Sequence, residues 1–174
     1  RIRSKKNYIK IPKLLYMGRF RKEKGYLSLI NIYKKIDYKS HLTMIGNDQK
    51  YLKKKDYPDI PNIKVLGQVT DENILIKYYD KCDILILPSY IEAYPQVILE
   101  SLSRLKPIII FNEIKYLKKT FKFGLFNCDR NEKSLEFTIK KIIENYQDIQ
   151  KRILKEKIFI QKSFFSNIKK IFKP

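Results

Sequence analysis

The sequence predicts an α/β domain built on a doubly wound parallel sheet of about six strands, with helices on both faces. Three observations carry that expectation. Short apolar runs recur at Lys13 to Met17, Leu42 to Ile45, Ile84 to Leu87 and Lys106 to Phe111, with β-branched members in the last three, and strands covered on both faces of a parallel sheet require such runs. Stretches with apolar residues at helical spacing lie between them, so strand and helix alternate from Pro12 to Tyr146, the pattern of stacked crossover units. The runs also end on turn signals: Gly18-Arg19, Gly46-Asn47 and Pro88-Ser89.

The elements read in order as follows. Residues 1–11 are basic with little periodicity and read as a linker, 12–160 as the domain, and 161–174 as a C-terminal helix. The first strand ends at Gly18-Arg19, a charged turn runs to Gly25, and Leu27, Ile30, Ile32, Tyr33 and Ile36 mark a helix. His41 opens the second strand, and Asn47-Asp48 caps a short Lys-rich helix from about Gln49. A loop through Pro58 and Pro61 leads to a third strand at Asn62 to Val69. Thr70 or Asp71 caps the next helix, which carries Ile74, Leu75, Tyr78 and Tyr79 at helical spacing. Pro88 stops the Cys82 to Leu87 strand, and Pro95 suits the first position of a helix over Gln96 to Leu105, where its missing N–H costs nothing. A sixth strand is expected at Phe123 to Phe126, then amphipathic helices over Glu132 to Tyr146 and Gln147 to Phe159. The last piece, Ser163 to Lys173, has Phe164, Phe165, Ile168, Ile171 and Phe172 on one pattern; it also reads as a basic membrane-surface helix.

Composition narrows the function class. With 44% hydrophobic residues in 174, the chain is not disordered, so its formal charge of +20 decorates a folded body. Such a charge suits nucleic acid, an anionic membrane face or phosphorylated ligands. The lysines are spread along the whole chain among many Ile, Asn and Tyr, which AT-rich codon usage explains as well as a dedicated patch does. Cys82 and Cys128 are too few for a zinc site or a disulfide framework and read as reduced cytosolic thiols. His41 is the only histidine and opens a strand, so it reads as structural rather than as a base; a Ser/His/Asp triad would need another histidine, and no metal-binding D-x-D is present. Asp80 and Asp83 read as a helix end and a strand cap. No run is long enough to cross a bilayer and no signal peptide opens the chain; Arg1 to Lys6 reads as the middle of a longer protein.

Chemistry concentrates around the fourth strand. Glu92 sits in the turn just outside the helix that starts near Pro95, and Glu100 lies about one and a half turns inside it. Each carboxylate singly has a bland reading, Glu92 as an exposed loop residue and Glu100 as a dipole-favoured helix residue. Together they stand at the carboxyl end of a strand, beside a helix N-terminus that favours anions, where open α/β sheets bind ligands. The segment Glu92 to Ser101 closely resembles the E-x7-E signature of retaining GT-B glycosyltransferases of family 4. That resemblance implies a Rossmann-like domain, the C-terminal, donor-binding half of a GT-B enzyme. It further implies that Glu92 contacts donor-sugar hydroxyls, that Glu100 contacts the ribose, and that the amides of Ala93, Tyr94 and Gln96 face sugar and diphosphate.

A second element strengthens the likeness. Gly18-Arg19-x4-Lys24-Gly25 is similar to the family's G-R-x4-K-G, in which Arg and Lys clamp the diphosphate. An Arg fork binds two phosphate oxygens at once, a Lys adds a compact point charge, and together they neutralise the leaving diphosphate where other enzymes use a metal. The bland alternative is that Arg19 and Lys24 merely face solvent. The family also places Gln68 and Val69 against the nucleotide base, although Val69 fits equally as core. The catalytic expectation thus rests on Glu92, Arg19 and Lys24, and donor binding on Gly18, Arg19, Lys24, Val69, Glu92, Ala93, Tyr94, Gln96 and Glu100, with no metal and no cofactor.

Two departures from the family pattern stand out. Arg104-Leu105 replace the small residue and Gly that usually end the Glu100 helix, and Asn112 to Leu117 replace a GGxPE loop, leaving a role for Glu113 undefined. The resemblance implies a UDP- or GDP-linked donor, hexosyl transfer with retention to a glycan or lipid-linked acceptor, and an N-terminal GT-B domain as partner. It also implies a cytoplasmic protein, peripheral at most on an anionic membrane. The rival reading is a basic α/β module for nucleic acid or anionic lipid; sugar-nucleotide epimerases share the half-fold but fit the E-x7-E context less well.

Overall fold

The computed structural model describes residues 9–47 and 60–156. Within them the chain forms β1 (Lys13–Met17), α1 (Tyr26–Tyr33), β2 (His41–Ile45), β3 (Ile63–Leu66), α2 (Glu72–Lys81), β4 (Ile84–Leu87), α3 (Gln96–Ser103) and β5 (Ile108–Phe111). A 3-10 segment (Asn112–Lys119), β6 (Leu125–Cys128), α4 (Glu132–Glu144) and α5 (146–156) follow. The strands make one six-stranded sheet in the order β3-β2-β1-β4-β5-β6, and every pairing is parallel. The α/β fold read from the sequence is therefore the fold observed.

Side-chain alternation divides the core in two. Leu14, Tyr16, Leu42, Met44, Ile84, Ile86, Ile109 and Phe111 face α1 and α4, where Leu29, Ile30, Leu135, Ile139 and Ile142 cover them. Leu15, Ile45, Leu85, Leu87, Ile108 and Ile110 face the other way, onto Tyr79 of α2, Ile98 of α3 and Ile114 and Leu117 of the 3-10 segment. Successive strand residues point to opposite faces, so a sheet covered twice needs the uninterrupted apolar runs seen in β4 and β5. Right-handed crossovers that lead outward from the centre in opposite directions put α1 and α3 on opposite faces. The carboxyl ends of β1 and β4, paired through Leu14–Ile84 and Leu15–Leu85, are where the two halves of the sheet diverge, the position at which open α/β sheets bind ligands.

Local chemistry explains most boundaries. Of the two candidate caps for α2 it is Asp71 that serves, its carboxylate accepting from the amides of Asn73 and Ile74. Asn131 caps α4 by accepting from Ser134 N. Pro95 is the N-cap of α3 rather than its first helical residue, a one-residue difference that its φ of −72° permits. Asp83 Oδ2 accepts from Lys13 N at 2.8 Å and so ties the start of β4 to the start of β1.

Several boundaries differ from the sequence reading. β3 ends at Leu66, which leaves Gln68 and Val69 in the loop. The sixth strand begins two residues later than expected, because Gly124 takes φ +77°. A Cβ there would come within 2.4 Å of Leu102 Cδ2, so only glycine lets α3 and α5 close over this edge. Phe123 leaves the sheet and receives the Arg152 guanidinium on its ring. α3 stops at Ser103, and Leu105 supplies the left-handed turn (φ +58°) that glycine usually provides. That conformation costs about 1–2 kcal/mol for a residue with a side chain; burial of the leucine and the Gln150 Nε2 bond to its carbonyl offset it. Asn112–Lys119, expected as a loop, is helical, with Ile114 and Leu117 buried. Ile9, on the stretch read as a linker, packs into the α1-side core. The Lys-rich helix from Gln49 and the segment 161–174 lie outside the described residues.

Both cysteines are buried. Burial, helped by Asp129, pushes the Cys128 thiol up to about 12, far above the range in which a thiolate attacks. A thiol-reactive disulfide reagent at pH 8 should therefore label neither cysteine in native protein and both in guanidinium. Rapid labelling of Cys128 before unfolding would mean that β6 opens locally.

Candidate functional site

The site begins where β1 ends. Gly18 N donates to Ile45 O (3.0 Å) and Phe20 N to Asn47 O (3.0 Å), while the Tyr16 hydroxyl donates to Arg19 O (2.7 Å). Burial first, then the nearby Glu92 charge, raises the Tyr16 phenol far above its ordinary value, so it stays a neutral donor. Phe20 is fully buried between Tyr16 and Tyr26. With the backbone pinned on both sides, Arg19 is left pointing outward, exposed at the rim.

A single 3-10 turn (Lys22–Lys24) brings the chain to Gly25, whose φ of +67° redirects it into α1. A Cβ on Gly25 would sit 1.9 Å from Pro88 O. The turn after β1 therefore lies directly against the turn after β4, and Tyr90 N donates to Glu23 O (2.9 Å) across the same seam. Lys24 Nζ meets Glu92 Oε1 at 2.7 Å, with side-chain exposures of only 20% and 8%. Ser89 Oγ donates to the same Oε1 at 2.7 Å. The Tyr116 hydroxyl accepts from Glu92 N (3.0 Å) and donates to Glu92 O. Glu92 is thus fixed through backbone and carboxylate, while its Oε2 takes part in neither of the Oε1 contacts. Lys24 spends one of its three N–H groups on Glu92, and the ammonium is held between the turns that follow β1 and β4.

Glu100 lies on the outer surface of α3, and its carboxylate accepts a short hydrogen bond from the Tyr79 hydroxyl of α2. Burial, then the Glu100 bond, raises the Tyr79 phenol strongly, so the tyrosine remains the donor. Ala93, Tyr94 and Gln96 are exposed around the start of α3, where the first amides of the helix lack intrahelical acceptors. The Tyr94 ring leans on Phe121 at 5.3 Å. Val69 is half buried and packs on the α2–α3 core. Of the residues singled out in the sequence, Lys24 and Glu92 are brought into contact, Gly18 and Arg19 stand on the neighbouring strand end, and Glu100 is anchored separately by Tyr79.

Four participants were not legible beforehand: Ser89, Tyr116, Tyr79 and Arg130. Glu113, left without a role, pairs with Arg130 (2.6 Å), and this bond chiefly holds its carboxyl below the ordinary range. Among the described residues no three His, Cys, Asp or Glu side chains gather to hold a metal ion, and no helix is long and apolar enough to cross a membrane.

A profile of the family described as glycosyl transferases group 1 matches residues 2–158. The chain belongs to that family. This group 1 glycosyltransferase chain has the fold of the C-terminal domain of GT-B enzymes. It superposes on sucrose-phosphate synthase from Thermosynechococcus elongatus with a TM-score of 0.62 at 19% identity, over 90% of its own length and 46% of that chain. Anabaena HepE, solved in complex with UDP and glucose, gives 0.63 at 17% identity over 90% and 49%. The catalytic domain of cholesterol-α-glucosyltransferase from Helicobacter pylori gives 0.66 at 23% identity over 86% and 98%. The glycosyltransferase chain thus spans about half the length of the first two structures. A search of curated proteins matches none.

The two cations differ in setting, and stability should report it. Arg19→Met should change unfolding free energy by at most about 0.5 kcal/mol, as exposed substitutions do. Lys24→Met leaves Glu92 enclosed without its counter-ion and should cost about 1–3 kcal/mol. Urea denaturation of the two variants checks the order; equal costs would contradict an enclosed Lys24–Glu92 pair.

Proposed function

We propose that this chain is the donor-binding half of a family 4-type, retaining glycosyltransferase that uses a UDP- or GDP-linked hexose without a metal ion. The observation that carries the reading is the meeting of Lys24 with Glu92 at the junction between the two halves of the sheet, in a chain of the group 1 family. In this reading Arg19 and Lys24 bind the diphosphate and stabilise the charge that grows on it as the glycosidic bond breaks. Glu92 aims Lys24 through Oε1 and offers Oε2 to a donor-sugar hydroxyl. In the same reading the amides of Ala93, Tyr94 and Gln96, exposed around the start of α3, face the sugar and diphosphate, and Glu100, oriented by Tyr79, accepts from the ribose. Val69 stands where the base would pack. The binding of UDP and glucose by Anabaena HepE supports a nucleotide sugar as ligand.

The acceptor, a glycan or a lipid-linked sugar, then enters from an N-terminal GT-B domain that forms the opposite wall of the cleft. Transfer takes place on the face from which the diphosphate leaves, so the anomeric configuration is kept. A cytoplasmic location accompanies this role, and the charge of +20 suits peripheral contact with an anionic membrane.

Calorimetry on the purified chain tests the division of labour. Arg19→Ala should weaken UDP or GDP by roughly 1–3 kcal/mol and leave the free nucleoside unchanged, whereas Glu100→Ala should weaken nucleoside and nucleoside diphosphate alike. Unchanged diphosphate affinity in Arg19→Ala would remove the clamp. Salt-sensitive binding to long polyanions without competition by nucleoside diphosphates would replace the reading with a polyanion module.

A further inference from the structure

We infer that Arg130 is a positioning residue for this site: from beyond the far edge of the sheet it holds the turn from which Glu92 hangs. The inference rests on the donor-site reading above and adds a residue to it. Arg130 follows β6, the strand farthest from β3, yet its guanidinium reaches the end of β4. Nη1 donates to Pro88 O at 3.0 Å and to Ser28 Oγ of α1 at 3.2 Å, and Nη2 donates to Ser89 O at 3.4 Å. Nε donates to Glu113 at 2.6 Å. The ring of Tyr90 lies 3.9 Å from the guanidinium carbon and that of Phe111 4.4 Å from it.

These contacts converge on the two segments that carry Lys24 and Glu92. Pro88 O is the carbonyl against which Gly25 is packed, so Arg130 and Gly25 fix it together. Ser89, whose carbonyl Arg130 also holds, is the residue whose hydroxyl binds Glu92. Ser28 stands four residues beyond Lys24, in the first turn of α1. A guanidinium suits this task because it is planar, carries five donors in a fixed fork and stacks on aromatic faces. Its side chain is only 15% exposed, and Glu113 balances its charge, so what it contributes to the site is geometry rather than potential.

The expected signature is loosening confined to one turn. In Arg130→Gln and Arg130→Lys, amide hydrogen exchange should quicken at residues 89–94 and remain unchanged in α4 and β5. UDP-glucose, used as a probe, should bind at least about tenfold more weakly at a temperature where every variant is folded, as misplacement near 1 Å can cause. Glu92→Gln should lose most of its effect on that affinity in the Arg130→Gln background, because both changes act on one unit. Glu113→Gln, which spares the bonds to Pro88 and Ser89, should bind within about threefold of the unaltered chain. If Arg130→Gln does not fold, Arg130→Lys carries the same comparison. Unchanged exchange at 89–94, or additive effects in the cycle, would overturn the positioning role. Faster exchange at 89–94 with no UDP-glucose binding by the unaltered chain would overturn the donor reading while leaving Arg130 as the anchor of the turn.

Discussion

The close approach of two turns at the middle of the sheet is the constraint on which the rest depends. Pro88 O faces Gly25 so closely that no side chain fits between them, and Lys24 and Glu92 meet just beside that contact. A cation and an acid on separate crossovers can pair this tightly only where neighbouring parallel strands release their chains toward the same rim. β1 and β4 are an adjacent pair whose following helices, α1 and α3, depart to opposite faces of the sheet. That divergence is where open α/β sheets bind ligands, and the Gly25–Pro88 contact fixes the two turns against each other there.

Around this contact the molecule arranges supports of three kinds. Backbone bonds from Gly18, Phe20 and Tyr90 hold the turns in register. Tyrosine hydroxyls kept neutral by burial act as directional donors: Tyr16 to Arg19 O and Tyr79 to Glu100. A buried phenol that cannot ionise keeps its proton across the physiological range, so these orientations do not vary with pH there. Finally, Arg130 and Tyr116 come in from the far half of the sheet, Arg130 holding the carbonyls of Pro88 and Ser89 and Tyr116 the backbone of Glu92. The Arg19 side chain is exposed at the rim, a setting that suits the proposed contact with a diphosphate better than a supporting role in the wall.

Strain is tolerated where packing outweighs it. Leu105 accepts a left-handed backbone at the end of α3, a place where Gly is usual in similar chains, because its side chain is buried and its carbonyl is taken by Gln150. The absence of a GGxPE loop is met in a different way. The 3-10 segment that stands there presents Tyr116 to Glu92 and Glu113 to Arg130, so the departure from the family pattern replaces one set of rim contacts with another.

Much of the fold was legible because its signals are local. Apolar runs at β1, β2, β4 and β5, the Asp71 cap and the Pro88 stop depend on neighbours within a few residues, and the helical spacing in α2 and α4 shows on the chain itself. The residue types at Arg19, Lys24, Glu92 and Glu100 were readable too, through their spacing. Boundaries set by distant partners were not: β6 starts where Gly124 lets α3 and α5 close, and α3 ends where Leu105 can be buried. Nor could any spacing have shown that Arg130, 42 positions from Pro88, supports its carbonyl, or that Tyr79 orients Glu100. By itself, then, the sequence determined the strands, the helices and the chemical groups offered at the rim, because backbone periodicity and side-chain type are properties of short stretches. Which groups touch, and which are held still, was decided only by the tertiary structure, because a hydrogen bond's direction and a side chain's enclosure depend on residues that packing alone makes neighbours.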